Sequence, residues 1–121
     1  MIANITPFRG PSADVGTAYE MGFGRGVGLK IFAYTNVLES FTQRTVNSFN
    51  IFMRDETGAL RDKNNMAVEE WGLVDNLMLH GGIQSSGGQL VVEKAPQSEL
   101  FTNMLGFEKC LQLAQTLFLR L

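Results

Sequence analysis

Asp14 and Glu20 lie six residues apart in the stretch "PSADVGTAYEMG", and Glu20 is the only charged residue between Asp14 and Arg25. Its neighbours are Val15, Ala18, Tyr19, Met21 and Phe23. Two readings fit such a pair. In the first, Asp14 is a helix cap, its oxygen accepting orphan backbone N–H groups, and Glu20 is a solvated helix position. In the second, Glu20 stands beside a ligand and its carboxylate acts as a nucleophile. Location decides between them, so the elements that carry the pair come next.

"MIANI" (Met1–Ile5) is short, mostly apolar and suited to a strand. "TPFRGPSAD" (Thr6–Asp14) follows, with Pro7, Gly10 and Pro11 as turn signals. A helix is predicted from Val15 to Val27, with Val15, Tyr19, Phe23 and Val27, at four-residue spacing, as its buried face. "LKIFAYT" (Leu29–Thr35) is almost continuously apolar, as a strand covered on both faces should be. Strand, loop, helix and strand make one βαβ unit, with parallel strands and a right-handed crossover. In an open parallel sheet, ligands bind at the carboxyl ends of the strands. Residues 6–14 form the loop at that end, and Glu20 projects from the first turns of the helix behind it.

Further along, a second helix is expected within Asn36–Asn50 and a polar loop or hairpin over Asp55–Asn65. A helix from Asp75 to Ser85, a strand over Gln89–Glu93 and a closing helix from Phe107 to Phe118 complete one α/β domain over residues 1–121. Some segments invite other readings. "GFGRGVG" (Gly22–Gly28) has glycine at every second position and ends a helix, whereas a dinucleotide fingerprint is G-x-G-x-x-G and opens one. Its glycines are read as close packing of helix on sheet, with Gly28 as a helix terminator. "HGGIQSSGG" (His80–Gly88), taken by itself, reads as a loop. The charges of Arg54–Lys63 read as a solvated face, and Trp71 as a packing residue.

Composition narrows the function classes. The net charge is −2 and the positive charges are scattered, so neither nucleic acid nor an anionic membrane is an expected partner. One cysteine, Cys110, excludes a disulfide within the chain and a multi-cysteine zinc site; it is read as a core residue. One histidine, His80, excludes a His-cluster metal site. No apolar run reaches the roughly 18 residues that span a bilayer, and no signal-peptide pattern opens the chain. A cytoplasmic, reducing compartment is the expectation.

With these elements in place, "IANITPFRGPSADVGTAYEMGFGRGVGLKIFAYTN" resembles the nucleoside 2-deoxyribosyltransferase family. That family's pattern is a strand, a Pro-containing loop and then Asp-x-Gly-x-x-x-Glu opening a helix, matched by Asp14, Gly16 and Glu20. A second family motif, Asn-Leu-Met, is matched within "WGLVDNLML" by Asn76, Leu77 and Met78. The resemblance covers most of residues 2–88 and implies a flavodoxin-like fold. It also implies that Glu20 attacks C1′ of a 2′-deoxynucleoside, and that a second nucleobase then displaces the enzyme from the same carbon. Asp14 is implied to hold the sugar 5′-OH, with Gly16 beside it in the substrate site. Asn76 is implied to reach the same end of the sugar from a neighbouring subunit, with Met78 lining that shared site. The partners are then a 2′-deoxynucleoside, a free nucleobase and further copies of the chain; no cofactor or metal is called for.

The same resemblance implies an α/β sheet lacking its N-terminal strands. Family members have two earlier βα units, roughly 60 residues, ahead of the strand matched by Met1–Ile5, together with an aspartate proposed to handle the leaving base's proton. Two alternatives to a transferase stand beside it. One is an N-glycoside hydrolase, in which water replaces the second base. Relatives that act on 5′-monophosphates have serine where this chain has Asp14, whose charge would repel a phosphate. The other is an inactive oligomerising remnant.

Overall fold

The computed structural model describes residues 1–120. Strand β1 (Ile2–Asn4), helix α1 (Val15–Gly26) and strand β2 (Phe32–Thr35) form the predicted βαβ unit, with β1 and β2 parallel. Helix α2 (Phe41–Phe49) and an antiparallel hairpin of β3 (Met53–Arg54) and β4 (Leu60–Arg61) follow. Helix α3 (Leu77–Ser85) and strand β5 (Leu90–Val92) come next, then a single 3-10 turn (Gln97–Glu99) and helix α4 (Leu105–Leu119). The main sheet has the order β1-β2-β5, all parallel, so β2 is central.

Alternation along the strands divides the core into two layers. Ala3, Ile5, Ile31 and Ala33 meet Met21 of α1 and Ile83 of α3 on one face. Phe32, Tyr34 and Val91 meet Cys110 of α4 on the other, with Phe107 packed edge-on to Tyr34. The central strand is thus covered on both sides, as its unbroken apolar run requires. No helix among the described residues is long and apolar enough to cross a membrane.

Several elements differ from the sequence expectation. Val15, Tyr19, Phe23 and Val27 are not the buried face of α1: they are 60–82 % exposed, and Met21 and Gly24 are buried instead. Helix α1 carries apolar residues on both sides, so spacing alone cannot choose between them. The sheet beneath presents the small side chains of Ala3 and Ala33 and takes the face on which Gly24 allows close approach. A methyl group on Gly24 would lie 3.0 Å from Met1 Sδ and 3.3 Å from Ile31 Cδ1. The helix expected from Asp75 to Ser85 forms over Leu77–Ser85, so His80–Ser85, which by itself reads as loop, is helical because α3 buries Ile83 against the sheet; residues 86 and 87 turn. Trp71 is mostly exposed and belongs to neither layer of the core. Gly28 does end α1, with a φ of 87°. Of the 54–63 charges, Arg54 forms an exposed pair with Glu70, and Arg61 a half-buried one with Asp55. Hydrogen bonds from the Thr57 side chain and from Arg61 hold the Asp55 carboxyl well below the usual carboxylate range.

Two consequences can be measured. Nothing lies within 4 Å of a methyl group placed on Gly22, so Gly22→Ala gains helix propensity without a clash. The expected stabilisation is about 0.5–1 kcal/mol, read as a higher urea midpoint; a lower midpoint contradicts the open geometry. Cys110 is fully buried, its thiol donates to Ala33 O at 3.4 Å, and burial pushes its pKa up to about 11. A group raised this way supports the fold below its unfolded pKa and loses that support as pH rises through the folded one. Stability should therefore fall between pH about 9 and about 11. At pH 8 a thiol reagent should modify the urea-unfolded chain and spare the native one; equal rates would contradict the burial.

Candidate active site

Asp14 is the N-cap of α1: its Oδ2 accepts from Gly16 N at 2.9 Å and Thr17 N at 3.3 Å. A methyl group on residue 16 would lie 2.9 Å from that oxygen. The glycine of the motif therefore lets the carboxylate fold back over the first turn. Capping uses one oxygen of Asp14; the other accepts no hydrogen bond among the described residues.

The loop that delivers Asp14 is held by two charged residues the sequence reading did not single out. Asp75 is fully buried and accepts from Ser12 Oγ, from Ala13 N at 3.0 Å and from Asn76 N at 2.7 Å. Arg44 of α2 lies 3.5 Å from Asp75 Oδ2. Its guanidinium also donates to Pro11 O at 2.7 Å, to Val74 O at 2.6 Å and to Glu39 O. Burial lowers the Arg44 pKa, against the opposing pull of Asp75 and Glu39. This clamp joins the loop before α1 to the start of α3, so Asp14 and Asn76 each sit one residue from a directly bonded pair. Asp75 was within reach of sequence reasoning, since it immediately precedes Asn76 in the second motif. Arg44 lies in no motif, and only its contacts mark it.

Asn76 is the N-cap of α3, its Oδ1 accepting from Met78 N at 3.0 Å. Its Nδ2 donates to Glu69 Oε1 at 2.6 Å. Met78 is exposed and lines a groove of about 480 Å³ between α1 and α3. Ala18, Met21, Gly22 and Arg25 form the α1 wall of that groove.

Glu20 is exposed and makes no hydrogen bond or ion pair among the described residues. At 100° per residue it lies roughly 150° around α1 from the middle of the groove wall. Glu20 and Met78 of one chain are therefore on opposite flanks of α1. Within this chain the structure brings Asp14, Gly16 and Asn76 to one end of the sheet, and it does not bring Met78 to Glu20. Glu20 has Gly16, Phe23 and Gly24 as its helix-surface neighbours, and so lies between the buried face that includes Gly24 and the exposed apolar stripe that includes Phe23. Among the described residues no group of three or more His, Cys, Asp and Glu side chains is placed to hold a metal ion.

Comparison with known proteins bears on the family of the chain. A search of curated proteins finds no match. A family model described as nucleoside 2-deoxyribosyltransferase matches residues 1–78, a span that includes Asp14, Gly16 and Glu20 and ends at Met78. That span is well over half of the 121 residues; it includes the βαβ unit that carries the first motif and reaches the start of α3, where the second lies. The chain belongs to the nucleoside 2-deoxyribosyltransferase family.

Proposed function

We propose that the protein transfers a 2-deoxyribosyl group between nucleobases through a covalent intermediate on Glu20. A carboxylate oxygen of Glu20 bonds to C1′ of a 2′-deoxynucleoside as the bond from C1′ to the base nitrogen breaks. The electron pair leaves with the base, which takes up one proton. A second base then attacks C1′, gives up its proton and releases Glu20. Two displacements return the starting configuration, and each passes through an oxocarbenium-like state, as in retaining glycosidases. Asp14 accepts from the sugar 5′-OH through the oxygen that capping leaves free. Such chemistry serves nucleoside salvage and needs no cofactor.

The observation that carries this reading is the state of Glu20: exposed, unpaired among the described residues, and on a helix whose cap is the other motif carboxylate. The opposite flanks of Glu20 and Met78 support a site assembled between copies, with Asn76 and Met78 supplied by a neighbour. So does the apolar stripe of Val15, Tyr19, Phe23 and Val27, a surface of the kind that marks association. The test is base exchange: deoxyinosine and adenine are incubated with the purified chain and the products separated. Deoxyadenosine supports transfer. Free deoxyribose despite abundant adenine replaces transfer with hydrolysis, and the absence of both overturns the reading.

A further inference from the structure

We infer that Glu69 is a positioning residue that sets the Asn76 amide for the sugar, an inference resting on the role proposed for Asn76. An asparagine amide has a donor end and an acceptor end, and a cap that used only its oxygen would leave the amine free to swing. Here both ends are pinned. Met78 N donates to Oδ1 at 3.0 Å, and Nδ2 donates to Glu69 Oε1 at 2.6 Å. A flipped amide would set its NH₂ against the Met78 N–H and its oxygen against a carboxylate, so a single orientation satisfies both partners. The second Nδ2 hydrogen and the second Oδ1 lone pair are then aimed in fixed directions.

Glu69 is itself held. Its Oε2 accepts from Leu77 N at 2.9 Å, and its carbonyl accepts from Thr42 Oγ of α2 at 2.6 Å. Its charge lies at the N-terminus of α3, where the helix dipole favours it. Neighbouring cations are committed elsewhere, Arg54 to Glu70 and Arg44 to Asp75. The carboxylate therefore serves α3 and the amide, joining the loop after the hairpin to the second motif.

The test compares kcat/KM for Glu69→Ala, Glu69→Gln, Asn76→Ala and the Glu69→Ala/Asn76→Ala pair, on deoxyinosine and on its 5′-deoxy analogue. One uncharged hydrogen bond is worth a factor of about 3–10. Asn76→Ala and Glu69→Ala should each lower kcat/KM on deoxyinosine by about that factor, and the double variant should be no worse than Asn76→Ala. Glu69→Gln, which keeps an acceptor for Nδ2, should restore part of the loss. On the 5′-deoxy analogue Glu69→Ala should match the unmutated chain, whereas a merely structural defect would lower both substrates alike. Losses that multiply in the double variant, or an equal loss on both substrates, overturn the inference and leave the transferase reading standing. An Asn76→Ala variant with full activity overturns the role of Asn76 and the inference together. No exchange by the unmutated chain overturns both along with the transferase reading.

Discussion

Replacing Glu20 by glutamine should lower base exchange by about 10³–10⁶-fold, the range seen when an enzyme loses its nucleophile. The amide keeps the size of the side chain and replaces the anionic carboxylate with a neutral group whose one oxygen is a poor nucleophile toward C1′. The geometry makes the experiment clean, because Glu20 is exposed and has no partner among the described residues. A surface substitution of this kind changes stability by no more than about 0.5 kcal/mol, so urea midpoints of the two proteins should coincide. Activity and folding are thereby separated. Mass spectrometry of the quenched, unmutated protein with deoxyinosine should show one deoxyribosyl adduct on the peptide carrying Glu20. Glu20→Gln should show none. A variant that kept normal exchange, or an adduct on another residue, would remove Glu20 from the centre of the mechanism.

Asp75→Ala should instead act on stability, by about 3–5 kcal/mol, the cost of leaving one member of a buried ion pair without its partner. Arg44 is almost completely enclosed, with a side-chain exposure of 10 %, and Asp75 is the carboxylate that faces it. Removal also strands the Ser12 hydroxyl and the amides of Ala13 and Asn76. Those groups belong to the loop before α1 and the start of α3, so the loss falls on the segment that presents Asp14. Asp75→Asn, which keeps the shape and two acceptor lone pairs but not the charge, should lose less than Asp75→Ala. Urea denaturation of the three proteins measures the order. A loss below about 1 kcal/mol for Asp75→Ala would show that the pair behaves as a surface ion pair and does not hold the loop.

Legibility varied with how local each feature is. The cap at Asp14, the glycine at residue 16, the end of α1 at Gly28 and a strand within Leu29–Thr35, formed over Phe32–Thr35, each depend on a few neighbours in sequence. All were readable. The orientation of α1 was not. Its four-residue stripe of Val15, Tyr19, Phe23 and Val27 has the spacing of a buried face, yet the sheet chose the side bearing Met21 and Gly24. The glycines of "HGGIQSSGG" weaken a helix by propensity, so that stretch by itself reads as loop; the wider helix expected from Asp75 to Ser85 is the reading that holds, because α3 buries Ile83.

The sequence by itself determined the parallel βαβ unit, the caps, the two family motifs and the identity of the carboxylate proposed to react. These follow from residue type and short-range spacing, the only information that periodicity and propensity carry. The tertiary structure alone decided which flank of α1 faces solvent, that Arg44 and Asp75 tie the loop of the first motif to the helix of the second, and that Glu69 holds the amide of Asn76. The clamp joins partners far apart along the chain, as with Ser12 and Asp75, separated by 63 residues, whereas Glu69 and Asn76 are only seven residues apart but meet through a loop whose course no periodicity gives. Such contacts form only when the sheet and its helices pack, because close packing and the pairing of buried charge are properties of the assembled core.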